Sequence, residues 1–221
     1  MTINLGSDKK KVYTIFWICL AVAAVGLYLL GAGKSGGSRR AIPGGTPAPI
    51  QTETEGQTEI DIPGWQVDIH YLYEYEMDAL VIHTHNYPGF DLGNKLVPKD
   101  VAFAWGSVAE YNDRIDFNWS QMGRWYSWHT RSYDELTPVG GESGVNTQSA
   151  NCHLIAADSN VKKTIRKLKA GNRVKLKGYL VNVDACKPNG STFTWNSSTT
   201  REDTGDGACE VIYVTDIKVV Y

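Results

Sequence analysis

The sequence predicts a mainly β domain, a barrel or sandwich with one or two short helices, behind a single N-terminal transmembrane helix. Three observations predict it. Residues 12–33 form an apolar run without a single charge, long enough to cross a hydrocarbon core of roughly 30 Å as a helix. Several later stretches alternate apolar and polar residues with period two, the mark of a half-buried strand. Convincing helical periodicity is confined to one place, Asp158–Ala170.

Residues 1–11 are a short tail ending in Lys9, Lys10 and Lys11. The run that follows shows no polar stripe, which a soluble core helix of that length would carry. It is longer than the roughly 7–15 apolar residues of a signal peptide, and Leu30–Gly33 makes a poor cleavage site. A retained anchor is the expectation. Lys34, Arg39 and Arg40 balance the three N-terminal lysines, but the N-terminal cluster lies directly against the helix. The domain is therefore expected outside the cytoplasm, in the periplasm, with the N-terminus inside.

Residues 34–58 are dense in Gly, Pro, Thr and Ser and read as a flexible linker, because they offer little apolar surface to offset ordering entropy. Residues 59–221 are then one β-rich globular domain. Trp65, Val67, Ile69, Tyr71, Tyr73 and Tyr75 share one face of a first strand, and Ala79–Thr84 is a second signal. Leu96–Ala104 is ambiguous and suggests a short helix near Pro98. Ile115–Trp119 and Arg124–His129 are strand-like and aromatic, and residues 131–149 read as a long loop. In Asp158–Ala170, Asp158 or Ser159 caps a helix whose apolar face is Val161, Ile165 and Leu168, and Gly171 ends it. Arg173–Val183, Thr192–Ser197 and Cys209–Val220 are the closing strands. A helix leading into Val174-x-Leu176-x-Gly178-Tyr179-Leu180-Val181 has the pattern of an OB-like barrel.

Composition narrows the function. The chain has 221 residues, 42% of them hydrophobic, and a net charge of -2. That excludes a wholly disordered chain, and its four Cys are too few for a disulfide scaffold. Residues 1–40 hold four Lys, two Arg and one Asp, so the remainder has 16 basic and 23 acidic residues and a net charge of -7. Nucleic acid is thus a poor partner.

Five stretches taken in order carry a resemblance: Arg124-Trp125-Tyr126, then Ser149-Ala150-Asn151 with His153, then Gly178-Tyr179-Leu180-Val181, then Thr200-Arg201-x-Asp203-Thr204-Gly205, then Gly207-Ala208-Cys209-Glu210. Over roughly residues 65–215 the pattern resembles a family of uncharacterised bacterial membrane-anchored proteins. The resemblance implies a bacterial origin and an exported domain, and it carries over no catalytic role.

Candidate chemistry lies in three places. The aromatic concentration around Arg124, Trp125, Tyr126 and Trp128, with His153 and Arg201, is the candidate binding set, since aromatic rings and Arg dominate recognition surfaces. Asp203, Asp206 and Glu210 could ligate a hard cation, although a glycine-rich turn explains the same residues and the EF-hand order is not met. No cofactor is otherwise expected. Cys152 and Cys209 are the expected disulfide pair, each beside a strand-like segment. Cys209 with His153 is the alternative nucleophilic arrangement. The favoured function is a non-enzymatic accessory protein, held in the membrane by residues 12–33, whose domain binds a protein partner in the cell envelope. The alternatives are a metal-dependent or Cys/His enzyme centred on residues 201–210, and an OB-like module for oligosaccharide or oligonucleotide. The oligomeric state is left open.

Overall fold

The computed structural model describes residue 13 and residues 16–19, 39–202 and 208–220. The chain divides into two compact units, residues 1–36 and 37–221. In the first, Tyr13 and residues 16–19 are helical, with Tyr13, Phe16, Trp17 and Ile18 exposed. Most of the expected span 12–33 lies outside the described residues. Among the described residues, no helix is long and apolar enough to cross a membrane.

The second unit is mainly β. Its strands are β1 (Ile50–Ile62), β2 (Trp65–Asn86), β3 (Lys99–Ala104), β4 (Ser120–Met122), β5 (Trp125–Ser127), β6 (Ser149–Ala156), β7 (Arg173–Cys186), β8 (Thr192–Trp195) and β9 (Glu210–Val220). Four short α-helices join them: α1 (Leu92–Leu96), α2 (Gly106–Tyr111), α3 (Gly141–Thr147) and α4 (Ser159–Lys167), with a 3-10 helix at Tyr133–Val139.

Five strands close a ring. β2 pairs with β3, β3 with β6, β6 with β9 in parallel, β9 with β7, and β7 again with β2. Closure removes the sheet edges that would otherwise be left open. Val81, Val101, Phe103, Ala150, Leu154, Leu176, Leu180, Ile212 and Val214 fill the interior, and α4 packs Val161, Ile165 and Leu168 onto it.

β2 feeds three hydrophobic clusters, one of them through Leu80 and Ile82, and a bulge divides the other two. Its register against β7 shifts between Tyr71 and Tyr73, and an extra residue flips every later side chain. Val67 and Ile69 therefore pack outside the ring, while Tyr75, Met77 and Ala79 pack inside. At Gly178 the chains approach closely: a Cβ there would sit 2.1 Å from the Tyr213 carbonyl oxygen. Only glycine lets β7 and β9 meet at that point.

Several expectations change. Residues 115–119, expected as strand, lie in no strand or helix, and the domain has four short α-helices and a 3-10 helix rather than the one or two helices expected. Residues 50–58, expected in the linker, are strand: they pair with β2 from Ile50↔Glu76 onward. Their Thr–Glu alternation suits an edge strand templated by a long neighbour. Lys99–Ala104 is a strand rather than a helix, and residues 131–149 are largely helical. The helix expected at Asp158–Ala170 forms as α4, with the Asp158 carboxylate accepting from the Asn160 and Val161 N–H groups.

The far end of α4 is closed from β3. The Lys99 ammonium donates to the Arg166 and Leu168 carbonyls at 2.8 and 2.9 Å, satisfying acceptors that a helix end leaves open. Burial lowers its pKa. Lys99→Met keeps the stem and strands both carbonyls. It is expected to cost roughly 2 kcal/mol, read as a lower urea midpoint with unchanged slope.

Candidate functional site

On β3 and β6, Asp100, Asn151 and His153 point out of the ring, opposite Val101, Cys152 and Leu154. Asp100 and His153 are Cα partners, so the His153 Nδ1 lies 2.9 Å from Asp100 Oδ1. The β4–β5 hairpin sits on this face. Its turn, Gly123–Arg124, has positive φ at both residues, +60° and +74°, the signature of a type I′ turn. For Arg124 that conformation costs on the order of 1 kcal/mol.

The surroundings hold Arg124 there from every side. Its N–H donates to Tyr87 Oη at 2.9 Å, and its carbonyl accepts from the Asn151 amide at 2.9 Å. The guanidinium donates to Asp100 Oδ1 at 2.7 Å and to Asn94 Oδ1 at 2.6 Å. It lies 3.9 Å from the centre of the Tyr87 ring and 5.4 Å from that of Trp195, within cation–π range. Burial and the Asp100 charge push the Tyr87 phenol up to about 12, so it stays protonated. Gln121 completes the junction: its amide donates to Asn151 Oδ1, and its carbonyl oxygen faces His83 Nδ1 at 2.8 Å.

His83 makes this junction pH-sensitive. Burial lowers its pKa, so the unfolded chain binds the proton more readily than the folded one. Stability therefore falls as pH falls from about 6.5 toward the depressed folded value. In His83→Gln, the stability difference between neutral pH and about pH 5 is expected to shrink. Urea midpoints at the two pH values check it.

Beyond the junction, the hairpin walls a cleft of about 530 Å³. Trp125, Tyr126 and Trp128 line one side; Glu142 and Asn146 of α3 and Tyr133 line another. Trp105, the N-cap of α2, and Ser149 and Ala150 of β6 reach it, and Thr200, Arg201, Ala208, Cys209 and Glu210 close it. The rings are fixed. Trp128 Nε1 donates to Asn146 Oδ1 at 3.0 Å, Trp128 meets Tyr133 edge to face at 6.5 Å, and Tyr126 Oη lies 3.2 Å from Ser149 Oγ. Arg201 is tied down by donation to the Pro49 carbonyl at 2.6 Å. Glu210 is buried, and the Cys152 thiol donates toward its Oε2 at 3.8 Å. Burial pushes the Cys152 thiol well above its ordinary pKa, and the Glu210 charge adds to this.

No protein-family model, curated protein or solved structure matches the chain. Of the candidate residues, Trp125, Tyr126, Trp128, Arg201, Cys209 and Glu210 meet in one cleft. Arg124 and His153 are instead drawn into the junction on Asp100. Asp203 and Asp206 lie outside the described residues, and among the described residues no three His, Cys, Asp or Glu are grouped to hold a metal.

The expected Cys152–Cys209 disulfide is not formed. Cys152 is the ladder partner of Glu210, and successive strand residues face opposite ways. Cys152 thus points inward, whereas Cys209 meets the Asn151 amide at 3.5 Å and the Arg124 carbonyl at 3.8 Å outside. Sequence reasoning missed Asp100, Asn94, Tyr87 and Gln121. Reading Asp100–Ala104 as alternating would have placed a carboxylate on the outer face of β3.

Proposed function

We propose that this chain is a single-pass membrane-anchored accessory protein whose β-rich domain lies outside the cytoplasm and binds a protein partner in the cell envelope through the aromatic cleft. The observation that carries the reading is the cleft itself. It gathers three Trp and two Tyr beside Arg201 and two carboxylates, the residue types that concentrate binding energy at interfaces. The uncharged run at residues 12–33 supports the anchor.

The ring order and the placement of α4 between β6 and β7 support an OB-like reading of the barrel. In such barrels the outer face of the second and third strands takes oligonucleotides or oligosaccharides. Here the corresponding strands are β3 and β6, and the β4–β5 hairpin occupies that face through Arg124. This observation favours the cleft over the barrel face as the binding surface, and with a net charge of -7 after residue 40 it disfavours nucleic acid. A sugar stacked on Trp125 is the second reading, favoured by Asn146 and Glu142 beside the rings.

A photocrosslinking residue in place of Trp125, in intact cells, should give one discrete protein adduct, while the same residue in place of Lys218 should not. Adducts at both positions, or at neither, reject the partner reading. Protease added to spheroplasts should digest the domain, and protection would reverse the assigned orientation.

A further inference from the structure

A second hollow, of about 530 Å³, opens between the β1–β2 turn, α1 and the start of β8. Its rim carries Phe90, which is 93% exposed. Trp65 and Phe193 stand beside it, with Lys95 and Lys187. Lys187 Nζ lies 4.5 Å from the Trp65 ring centre, and Phe193 is held edge to face against Trp195 at 6.0 Å. The acid on this rim, Asp91, is engaged as the α1 cap: it accepts from the Asn94 backbone N–H at 2.9 Å and from the Asn94 amide. The rim is thus aromatic and cationic on a body whose net charge after residue 40 is -7.

We propose that this surface docks the domain onto the headgroup region of an anionic lipid bilayer. Phe90 enters the interface, and Lys95 and Lys187 meet lipid phosphates. Trp and Lys side chains suit that region because their apolar bodies sit in it while their polar ends stay wet. A soluble anion would use the lysines but gives no role to a phenylalanine standing free in water, whose burial is favourable. So few side chains bind a membrane only weakly by themselves. A tether makes weak binding effective by raising the local concentration, and to that extent the proposal rests on the anchored reading above.

The test uses the full chain reconstituted in vesicles of brominated phosphatidylcholine, with and without phosphatidylglycerol. Trp17, inside the expected span, reports insertion of the anchor. Phe90→Trp adds a reporter at the rim. The added indole is expected to be blue-shifted and quenched in phosphatidylglycerol vesicles. Lys95→Glu and Lys187→Glu should each weaken that by about fivefold. Because Trp65 stands on the rim itself, the anchor is read as the quenching that Trp17→Phe removes, and if that variant removes none the anchored reading fails. If Trp17→Phe does remove quenching and the added indole stays at its solvent-exposed emission, the docking proposal alone is overturned. Equal quenching without phosphatidylglycerol overturns the role of the lysines. A blue shift without vesicles shows a protein contact instead and overturns it as well.

Discussion

Asp100→Ala is expected to lower the unfolding free energy by roughly 3–5 kcal/mol. The carboxylate has no exposure to water and receives both the Arg124 guanidinium and the His153 ring on one oxygen. Removing it leaves a largely enclosed guanidinium without its counter-charge, and a buried unpaired charge costs more than the pair was worth. It also releases the restraint that keeps Arg124 at positive φ, so the β4–β5 hairpin and the Trp125 wall of the cleft should loosen together. Urea unfolding followed by far-UV circular dichroism measures the loss, and near-UV signals report the Trp environment. The double variant Asp100→Ala/Arg124→Ala should recover part of it, because the orphaned charge is then gone. Glu76→Ala supplies the contrast. Its partner Lys177 lies at 2.6 Å, but both side chains are more than half exposed, so a far smaller loss is expected. Equal effects at Asp100 and Glu76 would mean that the junction is not buried as described.

The parts of this domain that were legible in the sequence are those set by local periodicity. The closing strands and α4 follow from alternation and from a cap at Asp158, which need no distant partner. The aromatic concentration at residues 119–128 was also visible, because it lies within one short stretch. What escaped depends on contacts made far along the chain. Arg124 and Asp100 are 24 residues apart and His153 and Asp100 are 53 apart, so nothing local marks Asp100 as their common acceptor. Composition misreads residues 50–58 for a similar reason: Thr, Glu and Gly look like a linker until the edge of β2 pairs with them. The cleft needed two such events, the hairpin folding onto β6 and the parallel pairing of β6 with β9. The second brings Cys209 and Glu210 beside the aromatic wall.

Phe103→Ala tests whether the ring is a packed core or only a hydrogen-bonded frame. Phe103 is fully buried, with Val81 and Ala150 as its ladder partners on either side. Its ring belongs to the interior cluster supplied by all five strands and by α4. Truncation removes the transfer energy of the ring and leaves a cavity that a closed barrel cannot collapse, because each wall strand is pinned by two neighbours. The expected loss is roughly 3–5 kcal/mol. Phe103→Leu, which refills most of the space, should lose less than about 1.5 kcal/mol. Denaturant midpoints at equal slope separate the two. Because leucine keeps the interior filled beneath Ala150, which lines the cleft, the Leu variant should also keep the photocrosslink at position 125. A loss near 1 kcal/mol for the Ala variant would indicate a wall that relaxes freely. In that case the strand ring would not be what holds β3 and β6 in place beneath the cleft.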